Sequence, residues 1–368
     1  MFLFGKASST KDTYTKSSYK ARALEEKILQ LSGLELHTEL QIFDVPITFQ
    51  GELHHIHTYK CGEKNSEILV LIHGYEGCSL FFFQMLKDLS QKYQVYCLDL
   101  LGMGLSSRSE FTCQTTEETI DYFIDSIEKW REALDINQFH LAGLSFGGYM
   151  SVHYALKYQE RIAKLFLISP AGLTKGDCLA DPKEKAQKLP FFERQKFLIK
   201  TKGWEDQVSP AEYYQKYEII AKFWLKSHMH RKFSKVSIGE EFADLMFKFY
   251  SKMLKLPGGS DKSVYFILKS PKAYAKIPLE DLISQELHVP TVCYYGDRDW
   301  MDPAGAIRLA ESRKKDFKVK LIKNSGHLIP MLNPKLLTEN IMKELSSRDS
   351  IDLNSKKLAQ VSALKGDF

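Results

Sequence analysis

Gly143-Leu144-Ser145-Phe146-Gly147, directly after the apolar run Phe139-His140-Leu141-Ala142 and directly before the helix-compatible run from Gly148 to Leu156, reads as a strand turning sharply into a helix. The flanking positions are glycine because a Cβ there would collide with the neighbouring strand or helix. Ser145, at the apex, projects from the sheet in a strained conformation that lifts its hydroxyl clear. A serine so placed is a nucleophile for acyl transfer, and it needs a base, an orienting acid and oxyanion donors.

Later segments supply acid and base in that order. Pro290 to Tyr295 reads as a buried parallel strand, ending in Gly296-Asp297-Arg298-Asp299-Trp300-Met301-Asp302-Pro303. Asp299, three residues past the strand-ending glycine, is the favoured acid; Asp297 and Asp302 are expected to cap the loop and the helix that follows. The strand Lys318 to Ile322 leads into Asn324-Ser325-Gly326-His327, which makes His327 the expected base. One oxyanion donor is the backbone N–H of Phe146. The other is expected from Tyr75, in the loop His73-Gly74-Tyr75-Glu76-Gly77, with His73 holding that loop by hydrogen bonds.

Working outward, the chain alternates strand candidates (Leu40 to Gln50, Leu53 to Tyr59, Ile68 to Ile72, Val95 to Asp99, Phe139 to Leu144, Leu165 to Ser169, Thr291 to Tyr295, Val319 to Ile322) with helix candidates. Short apolar strands separated by amphipathic helices predict a mostly parallel α/β sheet covered on both faces. The clearest helix opens with the capping pattern Thr115-Thr116-Glu117-Glu118 and is expected to bury Ile120, Phe123, Ile124, Ile127, Trp130 and Leu134. The expected division is an N-terminal tail and helix (1–34), a first core half (35–173), a helical lid (174–276), a second core half (277–348) and a polar tail (349–368).

The lid segment holds 21 Lys and Arg against 12 Asp and Glu, so its excess of nine exceeds the whole chain's +5 and leaves everything else at −4. Its run from Lys222 to Phe233 interleaves cations with large apolar groups. Lys222, Trp224, Lys226, Arg231 and Lys232 are therefore expected to rest on anionic lipid headgroups. Nucleic acid would accept such charge too, but the chain has no recognition motif for it. Among the exclusions, no apolar run approaches the roughly 18 to 20 residues of a membrane span. The six cysteines lack metal-type spacing and look like reduced thiols of an intracellular protein. His54, His55 and His57, and the pair His228 and His230, lack a third ligand at a recognisable spacing. The first 22 residues are basic and rich in Ser and Thr, faintly like a mitochondrial transit peptide, although Lys stands where Arg is usual.

Asp99-Leu100-Leu101-Gly102-Met103-Gly104-Leu105-Ser106-Ser107-Arg108, Leu167 to Leu173, and His288-Val289-Pro290 running into Tyr295 to Asp302 resemble the lipid-active α/β-hydrolases. That abhydrolase-domain group includes lysophospholipases, a lipase co-activator of lipid droplets, cardiolipin deacylases and lysophosphatidic acid acyltransferases. The resemblance runs from about residue 16 to about 345. It implies the α/β-hydrolase fold, ester hydrolysis on phospholipid-like substrates, and a triad of Ser145, Asp299 and His327 with no metal or organic cofactor. It also implies a peripheral membrane or lipid-droplet surface as a partner. Two departures stand out. Acyltransferase members usually carry Asp five positions after the triad histidine, where this chain has Leu332. The co-activator branch replaces the nucleophile, whereas this chain keeps Ser145. A serine carboxylester hydrolase is the expectation; the rival is a non-catalytic lipid-surface adaptor on the same fold.

Overall fold

The computed structural model describes residues 16–176, 190, 194–195, 201–234, 236 and 239–346. Both expected tails, and Cys178, lie outside the described residues. Eight strands, β1 (Leu40–Phe49), β2 (Glu52–Cys61), β3 (Ile68–Ile72), β4 (Gln94–Leu98), β5 (Phe139–Leu144), β6 (Ile162–Ile168), β7 (Thr291–Gly296) and β8 (Phe317–Ile322), form one sheet ordered β1-β2-β4-β3-β5-β6-β7-β8. β2 is antiparallel to both of its neighbours, and all other pairs are parallel. Helices cover both faces, which is why β3 reads Ile-Leu-Val-Leu-Ile with no polar position. Alternate side chains enter two cores: Val70 and Ile72 join Phe123, Ile127 and Trp130, while Leu69 and Leu71 join Ile28, Phe82 and Leu86.

Helix α1 (Lys16–Leu29) packs Ala21, Ile28 and Leu29 into the second core, to which α2 (Phe83–Leu89) also contributes. It is also tied to the β1–β2 hairpin by a buried ionic cluster. The His57 ring, fully buried, bonds Asp44 at 2.7 Å through Nδ1 and Glu25 at 3.0 Å through Nε2. Arg22 pairs with Asp44 at 2.7 Å, and the Tyr59 hydroxyl donates to Glu25. Burial alone would push the His57 pKa down, but the two carboxylates outweigh it and hold it up at about 10. Helix α3 (Thr116–Ala133) begins with the predicted capping box, Glu118 N–H to Thr115 Oγ1 at 3.1 Å. It buries Ile120, Phe123, Ile124, Ile127 and Trp130, whereas Leu134 is only half-buried.

The chain leaves β3 toward β4 and returns to β5 on the other side of β3, after which α4 (Phe146–Lys157) begins. The loops after β3 and β5 therefore diverge, opening a crevice at the carboxyl ends of the strands. Between β6 and β7 lie α5 (Pro210–Lys216), α6 (Glu218–Phe233), α7 (Gly239–Met253), α8 (Ser263–Ile267) and α9 (Leu279–Gln285). This inserted segment is not wholly separate from the core. Phe242, Met246 and Phe249 of α7 join the second core, with the Phe242 ring 5.3 Å from that of Phe83. Helices α10 (Ala304–Ser312), α11 (Ile329–Leu332) and α12 (Pro334–Ser346) complete the layers.

Candidate active site

Ser145 sits between β5 and α4 at φ 54° and ψ −114°, a conformation that costs a non-glycine residue on the order of 1–3 kcal/mol and persists only where surroundings enforce it. They do so here. The Ser145 N–H donates to Ile168 O at 2.9 Å, and its carbonyl accepts from Ala171 and Tyr149 at 3.0 and 3.1 Å. A Cβ on Gly143 would lie 2.4 Å from Gly147 O and from Ser151 Oγ, and one on Gly147 would lie 2.3 Å from His73 O. The glycines are thus demanded by close approach.

The loop after β3 brings its backbone against the serine, for a Cβ on Gly74 would stand 3.1 Å from Ser145 Cβ. His73 fastens this loop: its Nε2 accepts the Leu100 N–H at 2.9 Å, so the ring proton is on Nδ1 and is donated to Gly74 O at 2.7 Å. Burial lowers the His73 pKa, which keeps the ring in this neutral form. Tyr75 in this loop and Phe146 at the start of α4, the expected oxyanion donors, have their rings 6.1 Å apart. The Tyr75 hydroxyl reaches across to donate to Asp261 O at 2.5 Å.

Glu76, in the same loop, escaped the sequence reading. It holds φ 49° where a glycine would be at ease, and its Oε1 is buried without a partner among the described residues. Burial, and then the nearby Asp261 charge, raise its pKa to about 8 against the opposing effects of Arg108 and the Ala211 amide. The available signal was a carboxylate inside a glycine-rich turn.

The three aspartates after β7 separate cleanly. Asp297 accepts the Asn324 and Ser325 N–H groups, each at 2.9 Å, and so shapes the turn leading to His327. Asp302 caps α10 through the Ala304 N–H at 3.0 Å. Asp299, 2% exposed, meets His327 Nδ1 at 3.2 Å and accepts the Met301 N–H at 3.1 Å. Burial on its own would raise the Asp299 pKa; the hydrogen bond and charge of His327 outweigh it, so the carboxyl is held below its usual range.

Ser145, His327, Gly74, Tyr75, Glu76 and Phe146 line one cavity of about 790 Å³, roofed by aromatic residues of the inserted segment such as Trp204, Tyr214 and Tyr265. A second cavity of about 780 Å³, beside α3, is lined by Glu118, Asp121, Asp125 and Glu128 and by none of the residues around Ser145. The expected lipid-surface residues divide: Trp224, Arg231 and Lys232 line the Ser145 cavity, whereas Lys222 pairs with Glu218 and Lys226 with Asp244 at 3.8 Å. Outside, α6 exposes Ile219 (87%) and Phe223 (73%), and Trp224, which borders the cavity, is itself 51% exposed. Among the described residues no His, Cys, Asp and Glu grouping suits a metal ion, and His228 and His230 part ways, the latter pairing with Asp244 at 2.9 Å.

A model of the alpha/beta hydrolase fold matches residues 67–334. The 1-acylglycerol-3-phosphate O-acyltransferase of Arabidopsis thaliana is 32% identical over 277 residues, 74% of this chain but 65% of the plant protein. The 1-acylglycerol-3-phosphate O-acyltransferase ABHD5 of Pongo abelii is 26% identical over 338 residues, covering 87% and 91% of the two chains. The crystal structure of naproxen esterase (carboxylesterase NP) from Bacillus subtilis superposes with a TM-score of 0.62 at 19% identity, over 90% of this chain and 99% of that one.

Proposed function

Because the chain belongs to the α/β hydrolase fold family, we propose that it is a serine carboxylester hydrolase acting on acyl lipids. Ser145 Oγ attacks the acyl carbonyl carbon while His327 takes the hydroxyl proton. The Tyr75 and Phe146 N–H groups receive the oxyanion, and His327 returns the proton to the departing alcohol oxygen. Water then attacks the acyl-serine by the same route and releases the fatty acid. Asp299 holds Nδ1 of His327, fixing the tautomer in which Nε2 takes the proton. The observation that carries this reading is the 3.2 Å Asp299–His327 contact at a cavity shared by His327 and the elbow serine.

The cavity volume falls within the roughly 300–1,000 Å³ usual for small-molecule sites, and its largely aromatic and aliphatic wall suits an acyl chain. The inserted helices act as a lid, and the outward apolar residues of α6 rest on the lipid surface that delivers substrate. Among the described residues no helix is long and apolar enough to cross a membrane. The plant relative's name describes acyl transfer to 1-acylglycerol-3-phosphate, an acceptor other than water. Leu332, where an acyltransferase aspartate is expected, favours water.

A fluorophosphonate probe tests the reading. Labelling that disappears in Ser145→Ala, with fatty acid released from a lipid panel by the wild type alone, is the expected result. Folded wild-type protein that takes no label would leave a lipid-binding adaptor in its place.

A further inference from the structure

The turn Pro257-Gly258-Gly259-Ser260-Asp261 lies just ahead of α8 and is pressed against the loop after β4. The Ser260 N–H donates to Gly102 O at 3.0 Å, the Ser260 hydroxyl to Leu101 O at 2.8 Å, and the Gly259 N–H to Ser109 O at 3.0 Å. A Cβ on Gly258 would lie 2.5 Å from Arg108 O, and one on Gly259 would lie 2.5 Å from Gly102 O. So close an approach makes the turn a fixed point, and two groups from elsewhere are fastened to its last residue. The Tyr75 hydroxyl donates to Asp261 O at 2.5 Å, and the hydroxyl of Ser209, which caps α5, donates to the Asp261 carboxylate. The loop after β3 and the inserted segment thus meet at one residue.

What the Tyr75 anchor fixes follows from the peptide plane. The described peptide bonds are all trans, so the Tyr75 N–H points opposite to the Gly74 carbonyl in one rigid plane. That carbonyl accepts from His73 Nδ1 at 2.7 Å and from the Gly77 N–H at 2.9 Å. Both bonds act on the Gly74 side of the plane; on the Tyr75 side, the ring anchored on Asp261 opposes its rotation. We propose that Tyr75 serves the oxyanion hole twice, giving its N–H to the oxyanion and aiming that N–H through the hydroxyl anchored on Asp261, and that Asp261 is a positioning residue which ties the aim to the lid through Ser209. The inference rests on the hydrolase reading, because the direction of this N–H matters where an oxyanion forms against it. A misaimed donor weakens in the transition state, whereas ground-state binding, made by the apolar wall, is left as it was. The expected signature is a fall in kcat at constant KM.

The test uses the full chain, a short-chain ester, and a trifluoromethyl ketone whose adduct with the nucleophilic serine carries the oxyanion, set against the unfluorinated ketone. Losing one oxyanion donor outright costs about 10²–10³ in kcat, so Tyr75→Phe, which keeps the ring and the N–H, should lower kcat about 10- to 50-fold and leave KM within about threefold. Binding of the fluorinated ketone should weaken by a factor that matches the fall in kcat, with the unfluorinated ketone unmoved. Asp261→Ala frees Ser209 but keeps the carbonyl, and should lower kcat about three- to tenfold. Asp261→Asn, which still accepts from Ser209, should recover most of that loss. Should Asp261→Ala fail to fold, Ser209→Ala breaks the same bond from the other side and is read in its place. In Tyr75→Phe/Asp261→Ala the two losses should not multiply, since both act through one N–H. Lys262→Gln, which breaks the exposed pair with Glu212 on the adjoining residue, should leave kcat within about twofold. Unchanged kcat in Tyr75→Phe, a rise in KM that accounts for the whole loss, or losses that multiply in the double variant would overturn the inference and leave the hydrolase reading intact. Wild-type protein that neither turns over ester nor takes a fluorophosphonate label would fail the hydrolase reading and this inference with it.

Discussion

The floor and the lid side of the same cavity are held by different means. Around Ser145 the backbone is fixed by contact: one added carbon at Gly143 or Gly147 would fall within 2.4 Å of a neighbouring oxygen, and both nitrogens of His73 are bonded. On α6 the opposite holds, with Phe223 and Ile219 mostly exposed and Arg231 and Lys232 lacking ion-pair partners among the described residues. Groups that the chain itself satisfies set the position of the chemistry. Groups left unsatisfied on α6 remain open to solvent or to whatever approaches that face.

The strongest way to break this comparison is at the acid. Asp299→Asn should lower kcat on the order of 10⁴-fold by losing the histidine tautomer, with Asp297→Asn and Asp302→Asn costing far less. Steady-state kinetics on a short-chain ester would show it, and a deeper defect in Asp297→Asn would move the acid. Next, Gly147→Ala should destabilise by about 3 kcal/mol in urea unfolding, because its Cβ meets backbone oxygens that no rotamer change can move. Gly51→Ala, with nothing within 4 Å and only a positive φ of 79° to resist it, should cost about 1 kcal/mol.

The buried side of the sheet sharpens the contrast through pH. His57 stays protonated in the folded chain up to about 10, while in the unfolded chain it loses its proton near 6.5. Its contribution is therefore complete below pH 6.5 and is lost as pH rises toward 10, at up to about 1.4 kcal/mol per pH unit. Unfolding free energies between pH 7 and 9 should fall more steeply for the wild type than for His57→Gln. The smallest effect is expected on the outer face of α6. Ile219→Ser/Phe223→Ser should leave stability within about 0.5 kcal/mol and weaken vesicle binding roughly tenfold. Sedimentation with vesicles checks this; unchanged binding would leave that face merely solvated.

Much of this was legible in the sequence for a physical reason. β3 and β5 match their predicted limits because continuous apolar runs between polar turns admit little else, and Asp299 was separable from Asp297 and Asp302 by its place in the loop. β6 begins at Ile162, three residues before the expected Leu165, because Lys164 interrupts the apolar run without interrupting the pairing. The division of α6 was missed because cations and aromatics occur on every side of that helix, and only packing shows which stripe meets the cavity. The cluster of Arg22, Glu25, Asp44 and His57 was unreadable, since its members lie far apart in the chain.

That cluster decides where the polypeptide can be cut. The family match begins at residue 67, which invites a shorter fragment starting there. Trimming α1 alone would leave His57 with half its counter-charge and remove Glu25, the acceptor of the Tyr59 hydroxyl; breaking such a buried pair costs about 3–5 kcal/mol. Starting at residue 67 would remove the β1–β2 hairpin as well, uncover the edge of β4, and strip the Trp130 indole N–H of its acceptor, Thr58. A stable fragment of this protein therefore has to include α1, some fifty residues ahead of the segment by which its family is known.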